Sequence, residues 1–320
     1  MTQEAIPITE EVVVLRGDVN THVRLITLNR PRQLNVISPK VVSLLAESLK
    51  QWEKDDNVEL VIFKVGNGRA YSAGGDLKVF YDGRDSYDAC REVVHRMYWL
   101  CYHNHTYKKT QVVLVHGISM GGGASLMVPL KFSVVTEKTI FSMPEASIGF
   151  HTDCSFSYIL SHLPGSLVGL ATHYVPSEKL PELEKCLIDL NSGEEHAVKS
   201  VIEEFSLDVK PDEDSILNNQ ATIDKCFSKE SVEEIFESLE SEANNEGNEW
   251  IPAVLKGLKR SAPTGLKITL RSVREGRVQT LLECLKKEFR LTINILRKLI
   301  SGDLYEGIRA LTIDKDNSPM

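Results

Sequence analysis

The first half of the chain alternates short apolar runs with amphipathic stretches. Residues 11–28, EVVVLRGDVNTHVRLITL, predict two strands around a Gly-Asp turn, because β-branched residues stand on both sides of it. Residues 58–66, VELVIFKVG, and 111–117, QVVLVHG, are almost continuously apolar, which is typical of parallel strands buried on both faces. Residues 130–142, LKFSVVTEKTIFS, predict two further strands around a charged turn. The pattern therefore indicates a largely parallel sheet.

One amphipathic helix is predicted between the second and third strands. Ser38 suits its N-cap and Pro39 its first helical position. Its apolar residues recur at three- and four-residue spacing and share one face, which we expect to pack on the sheet: Val41, Leu44, Leu45, Leu49 and Trp52. Strand, helix, strand, glycine loop, helix and strand together predict an α/β layered core.

The pattern changes near residue 178. From there the chain shows helical spacing with mixed charge, interrupted at 244–250, NNEGNEW, and at 261–265, SAPTG. We therefore predict a core over residues 1–177 and a helical C-terminal region over residues 178–320.

Composition narrows the function classes. The 320 residues are 42% hydrophobic, enough to bury a full core, and the net charge is −8. This balance argues against a general nucleic-acid or anionic-membrane surface, and no apolar run approaches the ~20 residues of a membrane span. The six cysteines are scattered without metal-ligand spacing, so we expect a reducing, intracellular compartment and no metal.

The two ends of the sequence bear on localisation. The start, MTQEAIPITEE, is acidic and lacks the features of a signal or transit peptide. The end, DKDNSPM, has no peroxisomal address of the S-K-L kind. These observations favour a cytoplasmic location.

The stretch GISMGGGAS, residues 117–125, has two interpretations. Ser119 fits the G-x-S-x-G pattern of a serine hydrolase nucleophile, with a strand before it and an apolar helix after it. That enzyme also needs a histidine base, and none of His151, His162 and His173 stands in a sequence that marks it as one. The alternative, in which the glycines form a turn and Ser119 is an ordinary residue, is favoured.

A second glycine loop supports the turn interpretation. NGRAYSAGGDLK, residues 67–78, follows one buried strand just as residues 117–123 follow the next. Gly75 and Gly122 each precede a predicted helix start, where free N–H groups favour negative charge. Two such donors aimed at one point form an oxyanion hole, whereas two packing turns are the structural alternative.

Four segments carry a specific resemblance. YSAGGDLK (71–78), residues 116–153 with MPEASIGFHTD at their end, TGLKITLRSVREGR (264–277) and YEGIRALTIDKDNSP (305–319) resemble the crotonase, or enoyl-CoA hydratase/isomerase, superfamily. Within it they are most similar to the 3-hydroxyisobutyryl-CoA hydrolase branch, in particular its plant-like members.

The resemblance implies a crotonase-type ββα spiral core and a coenzyme A thioester substrate. It also implies an oxyanion hole at Gly75 and Gly122, and coenzyme A binding at Ala73, Asp76 and Leu77. Coenzyme A would be part of the substrate, so no separate cofactor is expected. Relatives of this kind are often oligomers, which makes a homo-oligomer possible.

Two acidic residues distinguish the reactions within this superfamily. Hydratases resemble one another in a glutamate where this chain has Ser125, whereas Glu145 and Asp153 fit the hydrolase pair. The resemblance therefore implies that Glu145 attacks the thioester carbonyl or activates a water, and that Asp153 positions the substrate hydroxyl or handles protons. The residues alone also allow a surface Glu145 and an Asp153 that caps the following helix. Asp76 likewise suits the cap of the helix after it.

Three departures from that pattern weigh on function. A segment after SHLPG (161–165) is missing, Cys154–Ser157 replace a glycine-rich run, and the chain ends where the family runs on. Hydrolysis of a short 3-hydroxyacyl-CoA, most simply 3-hydroxyisobutyryl-CoA, remains the leading hypothesis. The rivals are a catalytically weak or inactive coenzyme A-binding form and an enoyl-CoA hydratase or isomerase.

Overall fold

The computed structural model describes residues 13–17, 21–163, 169–210, 212–213 and 215–319. The strands are β1 (Val13–Arg16), β2 (Val23–Leu28), β3 (Leu60–Val65), β4 (Ala70–Ser72), β5 (Thr110–Leu114), β6 (Ile118–Met120), β7 (Phe132–Val135), β8 (Ile140–Ser142) and β9 (His173–Tyr174). The α-helices are α1 (Pro39–Lys54), α2 (Leu77–Asp82), α3 (Tyr87–Thr106), α4 (Phe156–His162), α5 (Leu180–Leu190), α6 (Glu195–Phe205), α7 (Gln220–Phe227), α8 (Val232–Glu242), α9 (Ile251–Arg260), α10 (Pro263–Gly276), α11 (Leu281–Leu296) and α12 (Asp303–Ile308).

A six-stranded sheet in the order β1-β2-β3-β5-β7-β9 forms the centre of the core. β1 and β2 are antiparallel, and every other neighbouring pair is parallel. In β3 the residues from Leu60 to Phe63 are all fully buried. The predicted parallel strands with two covered faces are therefore confirmed.

Helices cover both faces of this sheet. On one face, Val61 and Phe63 of β3 pack in the same apolar cluster as Leu45 of α1. On the other face, Leu60 and Ile62 pack in a second cluster with residues of α5 and α6. Alternate residues of a strand point to opposite faces, so one apolar run serves both clusters.

The predicted start of α1 is also confirmed. Ser38 is its N-cap, and the Ser38 hydroxyl accepts a hydrogen bond from the Val41 N–H at 3.4 Å. The apolar face of this helix lies against the sheet as its spacing predicted.

A second, three-stranded parallel sheet has the order β4-β6-β8. The two strands predicted within residues 130–142 are β7 and β8, and they belong to different sheets. Three successive units, β3-β4, β5-β6 and β7-β8, each place one strand in the large sheet and the next in the small one. A helix or a 3-10 turn follows each unit. This repetition is the predicted ββα spiral.

The chain after residue 178 is helical, as the sequence predicted. α10 packs against α4, α11 against α3, and α12 against α2, so these helices close over the core. α7, α8 and α9 share a small apolar cluster of their own. The division of the chain at residue 177 stays a prediction. No helix in the described part of the chain is long and apolar enough to cross a membrane.

The same substitution at two glycines should change stability in opposite directions. Gly117 has a φ of +81°, and a Cβ there would lie 2.2 Å from the Arg69 carbonyl oxygen, so Gly117→Ala should destabilise the fold by more than about 1 kcal/mol. Gly257 lies inside α9 with nothing within 4 Å, so Gly257→Ala should stabilise it by about 0.5–1 kcal/mol. Urea unfolding measures both, and a Gly117→Ala protein as stable as the wild type would contradict this account.

Candidate active site

A cavity of about 410 Å³ lies between the small sheet, α3 and the C-terminal helices α11 and α12. Its wall is mostly apolar and has a few convergent polar groups, as ligand pockets generally do. All seven residues predicted for the site line it: Ala73, Gly75, Asp76, Leu77, Gly122, Glu145 and Asp153. The structure therefore brings these residues together in one cavity, and the geometry of each group decides which role it can have.

The two glycine segments lie side by side because β4 and β6 are neighbouring parallel strands. A Cβ on Gly74 would lie 3.1 Å from the Met120 carbonyl oxygen, and one on Gly122 would lie 3.8 Å from the Gly75 nitrogen. Among the described residues no acceptor pairs with the Gly75 N–H. Gly122 is the second residue of a 3-10 turn, Gly121–Leu126, where an N–H group has no intrahelical acceptor. Two free donors therefore adjoin the cavity.

Glu145 lies directly against the second glycine segment. It begins a 3-10 turn, Glu145–Ile148, after β8, and its side chain is only 7% exposed. Gly121 has a φ of +51°, and a Cβ on it would lie 2.9 Å from Glu145 Oε1. The interpretation of Glu145 as a surface residue is therefore wrong, because the carboxyl faces the glycines and is buried.

The two predicted acids have unusual proton affinities. Burial, and secondly the negative charge of Asp153, raises the pKa of Glu145 to about 8. Burial also raises the pKa of Asp153 to about 6, although the hydroxyl of Tyr98, 2.8 Å from Asp153 Oδ2, opposes the shift. Perturbed carboxyls in a cavity are typical of acid–base sites, because an ionised carboxylate with a raised pKa is a stronger base.

Two capping predictions are wrong. Asp153 does not cap α4: the helix begins at Phe156, and the Asp153 carboxylate accepts the Tyr98 hydroxyl instead. Asp76 is at the N-cap position of α2, but its side chain makes no capping bond and pairs with Arg30 at 3.5 Å. Each carboxylate instead bonds to a residue far away in the sequence.

Sequence reasoning missed a buried hydrogen-bonded chain behind Asp153. The Tyr98 hydroxyl also lies 2.8 Å from Thr292 Oγ1, which is 3.0 Å from His151 Nε2. Burial lowers the pKa of His151 to about 4, so this imidazole is neutral near neutral pH. The regular spacing of apolar residues in α3, of which Tyr98 is one, is a signal that could have drawn attention to that helix.

Ser119 has no catalytic geometry. It lies in β6, is fully buried, and its hydroxyl donates to the Met127 sulfur at 3.5 Å. No described histidine bonds to it, and it does not line the cavity. The loop GISMGGGAS therefore presents glycine backbone to the cavity and buries its serine.

In the described part of the chain, no group of three or more His, Cys, Asp or Glu side chains could hold a metal ion.

The backbone directly after Asp153 has an unusual conformation, at the place where the resemblance predicted a glycine-rich run. Cys154 and Ser155 have φ values of +57° and +74°, which only glycine adopts without strain. The Cys154 thiol lies in the cavity wall, 3.7 Å from the point where a Cβ on Gly122 would be. This side chain therefore occupies space close to the two free N–H groups.

Curated relatives match along most of the chain. It is 65% identical to 3-hydroxyisobutyryl-CoA hydrolase-like protein 5 of Arabidopsis thaliana, over all of this chain and 86% of that protein. It is 40% identical to 3-hydroxyisobutyryl-CoA hydrolase-like protein 1, mitochondrial, of the same plant, over 92% of this chain and 79% of the relative. The Homo sapiens protein named 3-hydroxyisobutyryl-CoA hydrolase, mitochondrial, is 38% identical over 92% of this chain and 80% of its own length.

Solved structures share the fold. A carnitinyl-CoA dehydratase from Mycobacterium thermoresistibile superposes with a TM-score of 0.84 at 28% identity, over 96% of this chain and 92% of that one. An enoyl-CoA hydratase from Rhodobacter sphaeroides 2.4.1 gives a TM-score of 0.83 at 27% identity, over 97% of this chain and 92% of the other. The similarity extends through the C-terminal helices.

These relatives correct one prediction. The expectation of a cytoplasmic location rested on the acidic start of the chain and on the missing C-terminal address. Two of the matching proteins, from Arabidopsis thaliana and Homo sapiens, are named as mitochondrial. These names point away from the cytoplasm, and the cytoplasmic prediction is wrong.

The buried carboxyls should make stability depend on pH in a defined direction. The folded-state pKa of Glu145, about 8, lies above its ordinary value of 4.5, so its contribution to stability is complete below that value and is lost as the pH rises to about 8. Glu145→Gln removes this titration, so its unfolding free energy should fall less than that of the wild type between about pH 5 and about pH 8. Urea unfolding at both pH values measures the difference, and equal losses would contradict the assignment.

The family model described as enoyl-CoA hydratase/isomerase matches residues 23–168 and 166–320, in two pieces that meet at 166–168. The alignment with the 65% identical relative spans 337 positions, 17 more than the 320 residues of the chain, so at least 17 positions of that relative have no counterpart here. The predicted shortening after Gly165 falls at 164–168, which lie outside the described residues. With that difference, the chain belongs to the crotonase (enoyl-CoA hydratase/isomerase) superfamily and to its 3-hydroxyisobutyryl-CoA hydrolase-like branch, a branch of acyl-CoA thioester hydrolases.

Proposed function

We propose that this protein hydrolyses the thioester of a short 3-hydroxyacyl-CoA, most simply 3-hydroxyisobutyryl-CoA. One observation carries the proposal: the free N–H groups of Gly75 and Gly122 lie together in a cavity with the buried carboxyl of Glu145 beside them. The names of the relatives, which match over most of the chain, support the same substrate class.

In this proposal the two glycine N–H groups bind the thioester oxygen. Attack on the carbonyl carbon moves negative charge onto that oxygen, and donors already fixed in place stabilise the charge without reorganising. Removal of one such donor typically costs about 10²–10³ in kcat. Gly75 and Gly122 are suited to this role because neither has a side chain to obstruct the oxygen.

Glu145 supplies the nucleophile or the base. In the first route its carboxylate attacks the carbonyl carbon and the coenzyme A thiolate leaves, so that water then hydrolyses the resulting anhydride. In the second route Glu145 takes a proton from a water molecule that attacks directly. Both routes consume one water and release the free acid and the thiol, and both need an ionised Glu145 next to the oxyanion site.

Asp153 is the second carboxyl in the cavity wall. We assign it to hold the substrate hydroxyl or to pass a proton to the leaving thiolate, since its pKa of about 6 suits proton transfer near neutral pH. Ala73, Asp76 and Leu77 are proposed to contact the coenzyme A portion from the first glycine segment. No cofactor other than the coenzyme A of the substrate is part of the proposal, and a homo-oligomer stays a prediction.

Two rival functions are weaker. A hydratase would need a second acid where Ser125 stands, yet the Ser125 hydroxyl is buried and donates to the Gly122 carbonyl at 2.7 Å. A catalytically weak coenzyme A-binding protein is favoured by the positions of the 65% identical relative that have no counterpart in this chain. Calorimetric binding of coenzyme A by a folded protein that turns over no thioester would support this second rival.

The first test is thiol release from 3-hydroxyisobutyryl-CoA by the wild type, Glu145→Gln and Ser119→Ala. Glu145→Gln should lose at least about 10³-fold in kcat, because the amide can neither attack nor accept a proton. Ser119→Ala should retain wild-type turnover, because among the described residues its hydroxyl bonds to the Met127 sulfur and to no group in the cavity. Wild-type activity in Glu145→Gln would refute the mechanism, and no release by a folded wild type would refute the substrate assignment.

A further prediction concerns acyl-group size. Cys154→Gly should widen the cavity beside Gly122 and relieve a strained φ of +57°. A methylene in such a pocket is worth about 10-fold or more in specificity. The kcat/KM for a thioester with one extra methyl group, divided by the kcat/KM for 3-hydroxyisobutyryl-CoA, should therefore rise about tenfold. Cys226→Ala, in the separate cluster of α7–α9, is the control and should leave the ratio unchanged. An unchanged ratio in Cys154→Gly would show that Cys154 does not limit the acyl group.

A further inference from the structure

Glu288 is a buried acid that the proposed mechanism does not use. It lies on α11 and is fully buried. Burial raises its pKa to about 7, and among the described residues its hydrogen-bond donors belong to Ser155 and Ser157, neither of which is a cation. A buried carboxyl without a charged partner is costly, so its presence at this place calls for a physical reason.

The carboxylate spans the start of α4, a helix in another part of the chain. Glu288 Oε2 accepts from the Ser155 N–H at 2.8 Å, and Oε1 accepts from the Ser157 N–H at 2.9 Å. Ser155 is the N-cap residue, yet its own side chain makes no capping bond. Glu288, which lies on α11, therefore caps the N-terminus of α4. The first N–H group that it accepts belongs to Ser155, two residues after Asp153 in the chain.

The capped segment is strained. Cys154 and Ser155 both have left-handed backbone conformations, which cost non-glycine residues about 1 kcal/mol or more each. Such conformations persist only where the surroundings over-determine them. Here α3 holds the Ser155 hydroxyl through His105 Nε2 at 3.0 Å, and α11 holds the backbone through Glu288. Asp153 immediately precedes Cys154 and Ser155, which form a strained corner, so its place in the cavity depends on their backbone conformation.

We propose that Glu288 is the positioning residue for Asp153: by accepting the N–H groups of Ser155 and Ser157, it fixes the strained corner that aims the Asp153 carboxylate into the cavity. The proposal rests on the proposed function, in which Asp153 contacts the substrate. Glu288 itself does not line the cavity in which the proposed reaction takes place.

The test compares Glu288→Gln with Leu285→Ala. Glutamine keeps one acceptor oxygen but points its amide donor at the second N–H, so kcat for 3-hydroxyisobutyryl-CoA should fall about tenfold or more while KM stays within about twofold. Because a desolvated carboxyl is removed, Tm at about pH 8 should not fall. Leu285, buried on the same helix but outside the cavity wall, is the control: Leu285→Ala should lower Tm and keep kcat below the melting range.

A double-mutant cycle with Asp153→Asn decides whether Glu288 acts through Asp153. If it does, Glu288→Gln should have no further effect on the residual turnover of Asp153→Asn, because the group that it aims is already gone. An equal loss in both backgrounds would overturn the inference and leave the proposed function standing. A full-activity Asp153→Asn protein would instead refute the role of Asp153 and, with it, this inference.

Two further results bear on the interpretation. A Glu288→Gln protein that loses Tm like Leu285→Ala and keeps its kcat would show a purely structural cap and overturn the inference. If Glu288→Gln does not fold, Glu288→Asp replaces it, because the shorter acid retains its charge but retracts from both N–H groups. The same loss of kcat is then expected, and full activity of Glu288→Asp would overturn the inference.

Discussion

The close approach of two backbone segments is the constraint on which the site depends. β4 and β6 are adjacent parallel strands, so the chain leaves both at the same edge of the small sheet, and the segments that follow are only a van der Waals contact apart. At that distance a side chain on Gly74 would crowd the Met120 carbonyl. The glycines thus make possible both the packing of the sheet and the two free N–H groups.

The acids around these donors are held at an electrostatic cost. Glu145, Asp153 and Glu288 are all buried, burial raises the pKa of each, and the charge of Asp153 adds to the shifts of the other two. Hydrophobic packing elsewhere has to offset this cost, and the clusters on both faces of the large sheet are extensive. Two of these acids, Glu145 and Asp153, line the cavity, and such destabilised groups are typical of sites selected for chemistry and not for stability.

The elements that escaped sequence reasoning share a physical cause. β4 and β6 are three residues long, too short to show a period, and their pairing is entirely non-local. Glu288 stands in an unremarkable helical pattern, and its function as a cap depends on a segment more than a hundred residues earlier. Tyr98 and Thr292 likewise meet only because α3 packs against α11.

The sequence by itself determined the parallel strands, the start of α1 and the glycine segments, and its family resemblance named seven of the residues that line the cavity. These follow from local patterns, because apolar periodicity, capping residues and family motifs can each be recognised within a short stretch of sequence. Only the tertiary structure decided that Glu145 is buried, that Asp153 binds Tyr98 rather than capping α4, and that Ser119 faces the core. Burial, and with it proton affinity and the choice of hydrogen-bond partner, depends on which distant segments pack around a side chain, and no local pattern contains that information.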